Sequence, residues 1–249
     1  MSVSTQDMHE ILAEQDAAWN NRPVLRRLYT DWYRLIARNL AHVDGLTVEL
    51  GSGTGRFKEV VPDTVLTDVE PTKWTSTVVD AEAMPYGDAT VANLVLFDVF
   101  HHLASVARFF DEAQRVLVPG GRIVIFDPYC SPVSTPAWKA FHHERVDMSA
   151  APFEDDPDVA ASPFASNTAR ATTVFYRHRE ELGRRWPHLR LVNERRLAFF
   201  AYPLSGGFTG RQLVPNSLYG VLSAFETFLA PLAPLLAFRC LVVVERTVG

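Results

Sequence analysis

Three glycines within five positions mark the first stretch of the chain whose residue types could hold a ligand. They are Gly51, Gly53 and Gly55 in VELGSGTGRF, and they directly follow a short apolar run. Glycine lets the backbone turn sharply and approach a ligand without a Cβ collision, and the amide groups that open a following helix would point at an anion. A tight strand-to-helix turn that holds no ligand is the alternative interpretation.

The residues beside the glycines narrow the choice of ligand. The dinucleotide fingerprint G-x-G-x-x-G requires glycine at position 56, where this chain has Arg56. No Gly-Lys-Ser or Gly-Lys-Thr follows, as a phosphate loop would require. Glu49 lies at the end of the preceding apolar run, where its carboxylate would repel a phosphate but could accept a hydrogen bond from an ammonium group.

Two further acids end the next two apolar runs. Asp68 closes TVLTD, where a carboxylate can accept from both hydroxyls of a ribose, and Glu70 is its rival on the same side of an extended chain. Asp80 closes STVVD and is placed to accept from an adenine amino group, with the amide of Ala81 donating to a ring nitrogen. Capping a turn is the alternative role for Asp80, and the following AEAMPY favours the adenine role. The set suits a ligand with ammonium, ribose and adenine groups but no phosphate.

S-adenosylmethionine is such a ligand, and the sequence resembles the class I S-adenosylmethionine-dependent methyltransferases. Four motifs occur in the family's order: VELGSGTGRF, TDVEP, VVDAEAMPYGDATVANLVLFDVFHHL and EAQRVLVPGGRIVIFDPY. The resemblance implies S-adenosylhomocysteine as the product. It also implies a group of cofactor-binding residues: Glu49, Gly51, Ser52, Gly53, Gly55, Asp68, Val69, Asp80, Ala81 and Phe97.

Candidate catalytic side chains lie beyond the ends of the fourth and fifth predicted strands, where an acceptor would enter. The first candidates are His142 and His143 in FHHE, because a histidine beside a glutamate can be an oriented base. His101 and Tyr129 come second, and His101 more simply packs at a helix start. A sulfonium methyl group is already activated, so the protein must align the acceptor and needs a base only if the acceptor loses its proton late.

The elements that must position these residues are typical of one α/β domain, 1–249. Two helical patterns occupy 1–42, and five apolar runs that follow are continuous, as in parallel strands buried on both faces. SVARFFDEAQRVL and VFYRHREELGRRW are predicted helices, and 128–173 and 203–235 are predicted to cap the substrate site. The resemblance implies a Rossmann-like, mostly parallel seven-stranded sheet with helices on both faces, in which five strands are parallel and the last is antiparallel.

The stretch 218–238 has a single charge, Glu226, and is long enough to cross a bilayer. Pro231 and Pro234 interrupt it and a predicted strand follows at once. We therefore interpret it as a buried helix and turn, expect no stable membrane span, and leave peripheral membrane contact open.

Metal, disulfide and nucleic-acid sites are not predicted. Adjacent histidines point apart on a helix or a strand, and no H-x-x-x-H spacing accompanies them. Cys130 and Cys240 lie far apart without metal-type spacing. A net charge of −5 leaves no basic stripe for nucleic acid, and the N-terminus lacks an export signal, so a cytoplasmic location is expected.

The expected function is methyl transfer from S-adenosylmethionine to a small or amphiphilic, lipid-like molecule, most simply at oxygen. The alternative is a protein of the same fold that binds the cofactor but catalyses a cyclisation or regulates a partner. An NAD-dependent oxidoreductase is disfavoured by Arg56 and Glu49. The sequence does not identify the acceptor or the oligomeric state.

Overall fold

The computed structural model describes residues 5–141, 144–162, 165–208 and 210–248, with side chains from His9 onward. Within these residues a seven-stranded sheet has the order β3-β2-β1-β4-β5-β7-β6. The strands are β1 (Leu46–Leu50), β2 (Val65–Asp68), β3 (Thr77–Val78), β4 (Val91–Phe97), β5 (Leu117–Pro128), β6 (Leu189–Leu197) and β7 (Arg239–Arg246).

Strand directions confirm the predicted mostly parallel sheet. The first five strands are parallel, and β7 is antiparallel to both β5 and β6. Strand β6 therefore runs in the same direction as the first five, so the described sheet has six strands in one direction where the sequence analysis expected five.

The central strands are buried on both faces, as their continuous apolar runs predict. Side chains alternate between two layers: Val95 and Val124 pack toward one group of helices, whereas Leu94 and Ile123 pack toward the other. The first layer contains α1 and α2, and the second contains α3. The helices are α1 (Thr5–Asn21), α2 (Pro23–Ala37), α3 (Val106–Val116), α4 (Ser134–Phe141), α5 (Pro157–Ala160), α6 (Arg170–Thr172), α7 (Arg179–Arg185), α8 (Ala201–Ser205), α9 (Tyr219–Phe228) and α10 (Ala233–Leu236).

The helices nearest the sheet follow from local sequence. Helix α2 begins at Pro23, whose fixed φ suits the first helical position, and its buried residues recur at three- and four-residue spacing. Helix α3 begins after Ser105, whose hydroxyl accepts a hydrogen bond from the amide of Arg108. The predicted helix at 174–186 divides into a π-helical turn (Thr173–Arg177) and α7.

The apolar stretch 218–238 differs from the prediction. Helices α9 and α10 bury Tyr219 and Ala233, but Val221 is 68% exposed and Phe228 is 78% exposed. The expectation of a buried helix is therefore wrong for these side chains, because no described segment of the chain packs over them. Among the described helices, none alone has the length and composition of a membrane span. The pair Asn216–Phe228 and Ala230–Leu236, with a bend of 59° between them, has that length and composition when taken together.

Candidate functional site

The glycine loop joins β1 to a short 3₁₀ turn, Arg56–Glu59, which is the brief first crossover. Gly51, Gly53 and Gly55 have φ values of +65°, +50° and +67°, a region that favours glycine. A Cβ on Gly51 would lie 2.4 Å from the Cγ2 of Val99, just after β4. The loop therefore needs glycine, and the segment that follows β4 packs directly against it.

Two buried polar atoms at this loop lack a partner among the described residues: Glu49 Oε2 and Ser52 Oγ. Glu49 is only 3% exposed, and burial, together with the charge of Asp68, raises its pKa well above the usual value. An unpaired buried acid destabilises the fold unless a ligand supplies a donor or a positive charge. The arrangement fits a ligand that carries an ammonium group.

Asp68 lies at the end of β2 and holds the glycine loop in place by hydrogen bonds. Its Oδ2 accepts from the amide of Gly53 at 3.0 Å, and its Oδ1 accepts from the amide of Val69 at 2.9 Å. Burial raises the pKa of Asp68, and these backbone hydrogen bonds oppose that rise. A carboxylate has about four lone-pair positions, so a ribose hydroxyl could still donate to Asp68.

The residues predicted to contact adenine lie on the turn that follows β3. The amide of Val79 donates to the carbonyl of Asp68 at 2.9 Å, which brings Asp80 to the same edge of the sheet. The carboxylate of exposed Asp80 accepts from the amide of Glu82 at 2.8 Å, the turn-capping role given above as its alternative. Ala81 is half-buried against the core.

Helix α1 lies over the glycine loop, a contact that the sequence analysis did not identify. The Cδ2 of Leu12 would be 3.6 Å from a Cβ on Gly53. Asp16 forms an ion pair with Arg56, whose guanidinium also faces the ring of Trp19 at 5.3 Å. The helix therefore covers the side of the loop away from the sheet.

Phe97, at the end of β4, belongs to an aromatic cluster between the sheet and α2. Its ring stacks on Phe126 at 5.0 Å and lies 5.0 Å from the ring of Tyr33. Burial and the negative charge of Glu49 raise the pKa of Tyr33 well above its usual value. Tyr33 is thus a neighbour of Glu49 that the sequence analysis did not name, because no local pattern links α2 to the end of β1.

An ion pair that the sequence does not reveal lies directly after β4. Asp98 has a φ of +56°, which is uncommon for a residue with a side chain, and it forms an ion pair with buried Arg239 at the start of β7. The guanidinium of Arg239 faces the ring of Tyr202 at 4.6 Å. No local sequence signal links these residues, because the antiparallel strand β7 brings Arg239 to this edge.

The acceptor side is built around His101, on the 3₁₀ turn Phe100–His102. The Nδ1 of His101 lies 2.9 Å from the Oδ1 of Asp127, and its Nε2 lies 3.4 Å from the Oε2 of Glu144. Burial lowers the pKa of His101, but the two carboxylates outweigh it and raise that pKa to about 10. The ring is therefore an imidazolium at neutral pH when no other cation is bound.

His102 points to the same glutamate as His101. Its Nε2 lies 3.7 Å from the Oε1 of Glu144, and the two histidine ring centroids are 4.2 Å apart. The expectation that adjacent histidines point apart is wrong here, because both lie on a tight 3₁₀ turn and not on a regular helix or strand.

The remaining catalytic candidates have different outcomes. The ring of Tyr129 contacts Tyr176 at 5.0 Å and the guanidinium of Arg196 at 5.4 Å, and burial raises the pKa of its hydroxyl. This environment makes Tyr129 a poor base. His142 and His143 lie outside the described residues.

Residues 48–125 match the family model described as a methyltransferase domain, a range that includes the glycine loop and β4. This segment of the chain belongs to a methyltransferase domain. The family predicted from the four motifs is therefore confirmed, and the predicted cofactor is confirmed at the level of this family. No curated protein matches the chain by sequence.

Solved structures support the fold of this methyltransferase domain. A SAM dependent methyltransferase from Archaeoglobus fulgidus superposes with a TM-score of 0.55 at 14% identity, over 89% of this chain and 94% of that one. Geranyl diphosphate C-methyltransferase from Streptomyces coelicolor A3(2), with S-adenosyl-L-homocysteine bound, superposes with a TM-score of 0.52 at 15% identity, over 89% of this chain and 77% of that one. The 4+2 cyclase SpnF superposes with a TM-score of 0.50 at 13% identity, over 88% of this chain and 81% of that one. One fold thus serves both methyl transfer and cyclisation.

Proposed function

We propose that this chain transfers the methyl group of S-adenosylmethionine to a small or amphiphilic acceptor, at an oxygen atom. The observation that carries the proposal is the buried, unpaired carboxylate of Glu49 beside the glycine loop. The ammonium group of the cofactor would donate to Glu49, and its ribose hydroxyls would donate to Asp68. The adenine amino group would donate to Asp80, with the amide of Ala81 donating to the ring. The loop glycines, Ser52, Val69 and Phe97 complete the proposed cofactor site.

The acceptor would bind beside the turn that carries His101. This turn follows the segment packed on Gly51, so it lies next to the loop that would hold the methyl donor. Methylation of a neutral hydroxyl releases a proton, and the carboxylate of Glu144, which lies beside the charged ring of His101, can take it. We propose His142 and His143 as the first catalytic candidates and His101 as the second, and Tyr129 is the weakest candidate because of its buried core position.

Calorimetry with S-adenosylmethionine and S-adenosylhomocysteine tests the cofactor site. We expect Asp68→Asn to weaken binding at least tenfold, a loss of about 1.4 kcal/mol. Glu70→Gln is the matched control, because it removes the rival carboxylate two residues away and is expected to leave affinity unchanged. The proposal fails if the unmodified chain binds neither ligand, or if Glu70→Gln weakens binding more than Asp68→Asn.

A cyclase or regulatory role is the second candidate function, favoured by the fold likeness to SpnF. Incubation with candidate hydroxylated acceptors and S-adenosylmethionine separates the two. Methyl transfer produces S-adenosylhomocysteine in an amount equal to the methylated product. Conversion of an acceptor without S-adenosylhomocysteine would favour the cyclase.

The amphiphilic class of acceptor is supported by an exposed surface that we name the C-terminal apolar face. Its residues are Leu218, Val221, Phe225, Phe228, Leu232 and Leu235. The one acid in this stretch, Glu226, turns inward and accepts from the amides of Phe199, Phe200 and Ala201 at 2.7–2.8 Å. The outward side thus offers only apolar and uncharged groups. We propose that it contacts a lipid surface peripherally while the acceptor is bound.

The domain organisation completes the proposal. We propose a single domain in which 1–42 covers the cofactor and 128–173 with 203–235 caps the acceptor. A cytoplasmic location is proposed with it, since Cys130 and Cys240 are both free and buried, as suits a reducing compartment.

A further inference from the structure

The two histidines beside Glu144 are oriented in the same way. His101 has its Nδ1 2.9 Å from the Oδ1 of Asp127, and His102 has its Nδ1 3.3 Å from the carbonyl oxygen of Ala165. A carboxylate or carbonyl that accepts from Nδ1–H leaves Nε2 as the ring nitrogen that would release its proton and bind a metal ion. Both Nε2 atoms then face one carboxylate.

The separations among these atoms match those between ligand atoms around one metal ion. The two Nε2 atoms lie 3.4 Å and 3.7 Å from the oxygens of Glu144, beyond the usual hydrogen-bond distance, and the ligand atoms of all three residues lie within 4.8 Å of one another. Donors bound tetrahedrally to zinc at its ordinary bond lengths are about 3.4 Å apart. We propose that His101, His102 and Glu144 bind a divalent transition-metal ion of the zinc class.

The groups behind the three ligands strengthen the assignment. Asp127 is fully buried, and its Oδ2 has no hydrogen-bond partner in the described part of the chain. Its contact with His101 is the carboxylate–histidine arrangement that orients ligands in metal sites. Thr168 Oγ1 donates to the Oε2 of Glu144 at 3.3 Å and restrains that carboxylate.

The donor set determines the chemical class of the ion. Two imidazole nitrogens and one carboxylate suit zinc, cobalt or ferrous iron, whereas magnesium and calcium prefer oxygen ligands throughout. The side chains of His102 and Glu144 are 28% and 13% exposed, so the ion can approach from their side and keep a coordination position for water or an acceptor oxygen. If the proposed methyl transfer is correct, the ion would polarise the acceptor hydroxyl; binding of the ion itself does not depend on that function.

Titration of the chelator-treated full chain with Zn²⁺ and Co²⁺ tests the site. We expect one equivalent of Zn²⁺ to bind at micromolar concentration or tighter, Co²⁺ to give the strong visible absorption of a tetrahedral site, and Mg²⁺ not to compete. His102→Ala should weaken Zn²⁺ binding at least tenfold. Asp127→Asn should weaken it about 10- to 100-fold by releasing the orientation of His101.

His178→Ala is the matched control, because the Nδ1 of His178 also lies 3.5 Å from a glutamate oxygen, that of Glu181, but on the surface. It should leave Zn²⁺ binding unchanged. Circular dichroism of each metal-free variant separates ligand loss from unfolding. His102→Ala is the variant expected to stay folded, because the side chain of His102 is partly exposed. Stoichiometric binding that survives both His102→Ala and Glu144→Gln overturns the proposal, as does the absence of binding. Cofactor calorimetry on the metal-free chain reports the proposed function separately.

Discussion

Glu49 is the residue at which the requirements of folding and of the proposed ligand binding conflict. Burial holds its pKa well above that of an exposed glutamate, so the folded chain keeps a proton that the unfolded chain releases. Between the unfolded and folded pKa values, stability therefore falls as pH rises. A cationic ligand reverses this penalty because it favours the carboxylate.

Glu49→Gln should accordingly separate stability from binding. We expect the free energy of unfolding of the ligand-free protein to rise, with a gain that grows with pH above the ordinary glutamate pKa, since glutamine has no proton to lose. Each kcal/mol corresponds to roughly 2–4 °C in melting temperature for a chain of this size. Affinity for S-adenosylmethionine should fall at least about tenfold. Thermal unfolding across pH and calorimetry measure the two effects; a variant less stable at every pH would contradict the account.

Gly51→Ala should destabilise the protein by about 2–4 kcal/mol, because the new methyl group meets Val99 and the backbone has a positive φ. Urea denaturation measures the loss. Gly183→Ala is the matched control: no atom lies within 4 Å of its added Cβ, and the helix should gain up to about 1 kcal/mol. Adding Val99→Ala to Gly51→Ala should restore only the steric part; full restoration would show that the backbone is unstrained.

At the scale of elements, the sheet could be predicted from the sequence, whereas the contacts that the covering segments make with it could not. Runs such as ANLVLFD are continuous because β4 is buried on both faces, and that signal is local. The loop could be predicted for the same reason, since Glu49 and the glycines are adjacent in sequence. The contact of His101 with Glu144 depends on how the irregular cap folds back, and Arg239 reaches Asp98 only through β7. Such contacts between distant segments leave no periodic pattern.

Helix α1 is the element whose contribution to cofactor binding is most directly measurable. Leu12→Ala removes the side chain that covers Gly53, and we expect the dissociation rate of S-adenosylmethionine to rise about tenfold, because loosening a packed cover mainly affects dissociation. Stopped-flow fluorescence provides the rate. Glu14→Ala, at an exposed position of the same helix, should leave it unchanged. Equal effects of the two substitutions would mean that α1 acts through its overall stability.

At the scale of the whole molecule, the C-terminal apolar face predicts membrane contact by apolar side chains and not by charge. The net charge of −5 opposes binding to anionic lipid. Binding to neutral phosphatidylcholine vesicles should be weak and, because it involves no charge pairing, insensitive to salt. Val221→Ser with Phe228→Ser should reduce co-sedimentation at least about fivefold by removing exposed apolar area. Stability should change little, since both side chains are exposed.

Val43→Ser is the control for this experiment, because Val43 is also an exposed apolar residue but lies outside the C-terminal apolar face. Vesicle binding that is unchanged in the double variant, or lost equally in Val43→Ser, would exclude the C-terminal apolar face as the contact.

The side chain of Glu226 connects helix α9 to the segment that leads into α8. Its carboxylate holds the amides of Phe199, Phe200 and Ala201, at the start of α8, and that helix carries Tyr202 against Arg239. Arg239 in turn forms an ion pair with Asp98, directly after β4. A displacement of the exposed helices would therefore act, through the carboxylate of Glu226 and the guanidinium of Arg239, on the end of β4 beside the glycine loop.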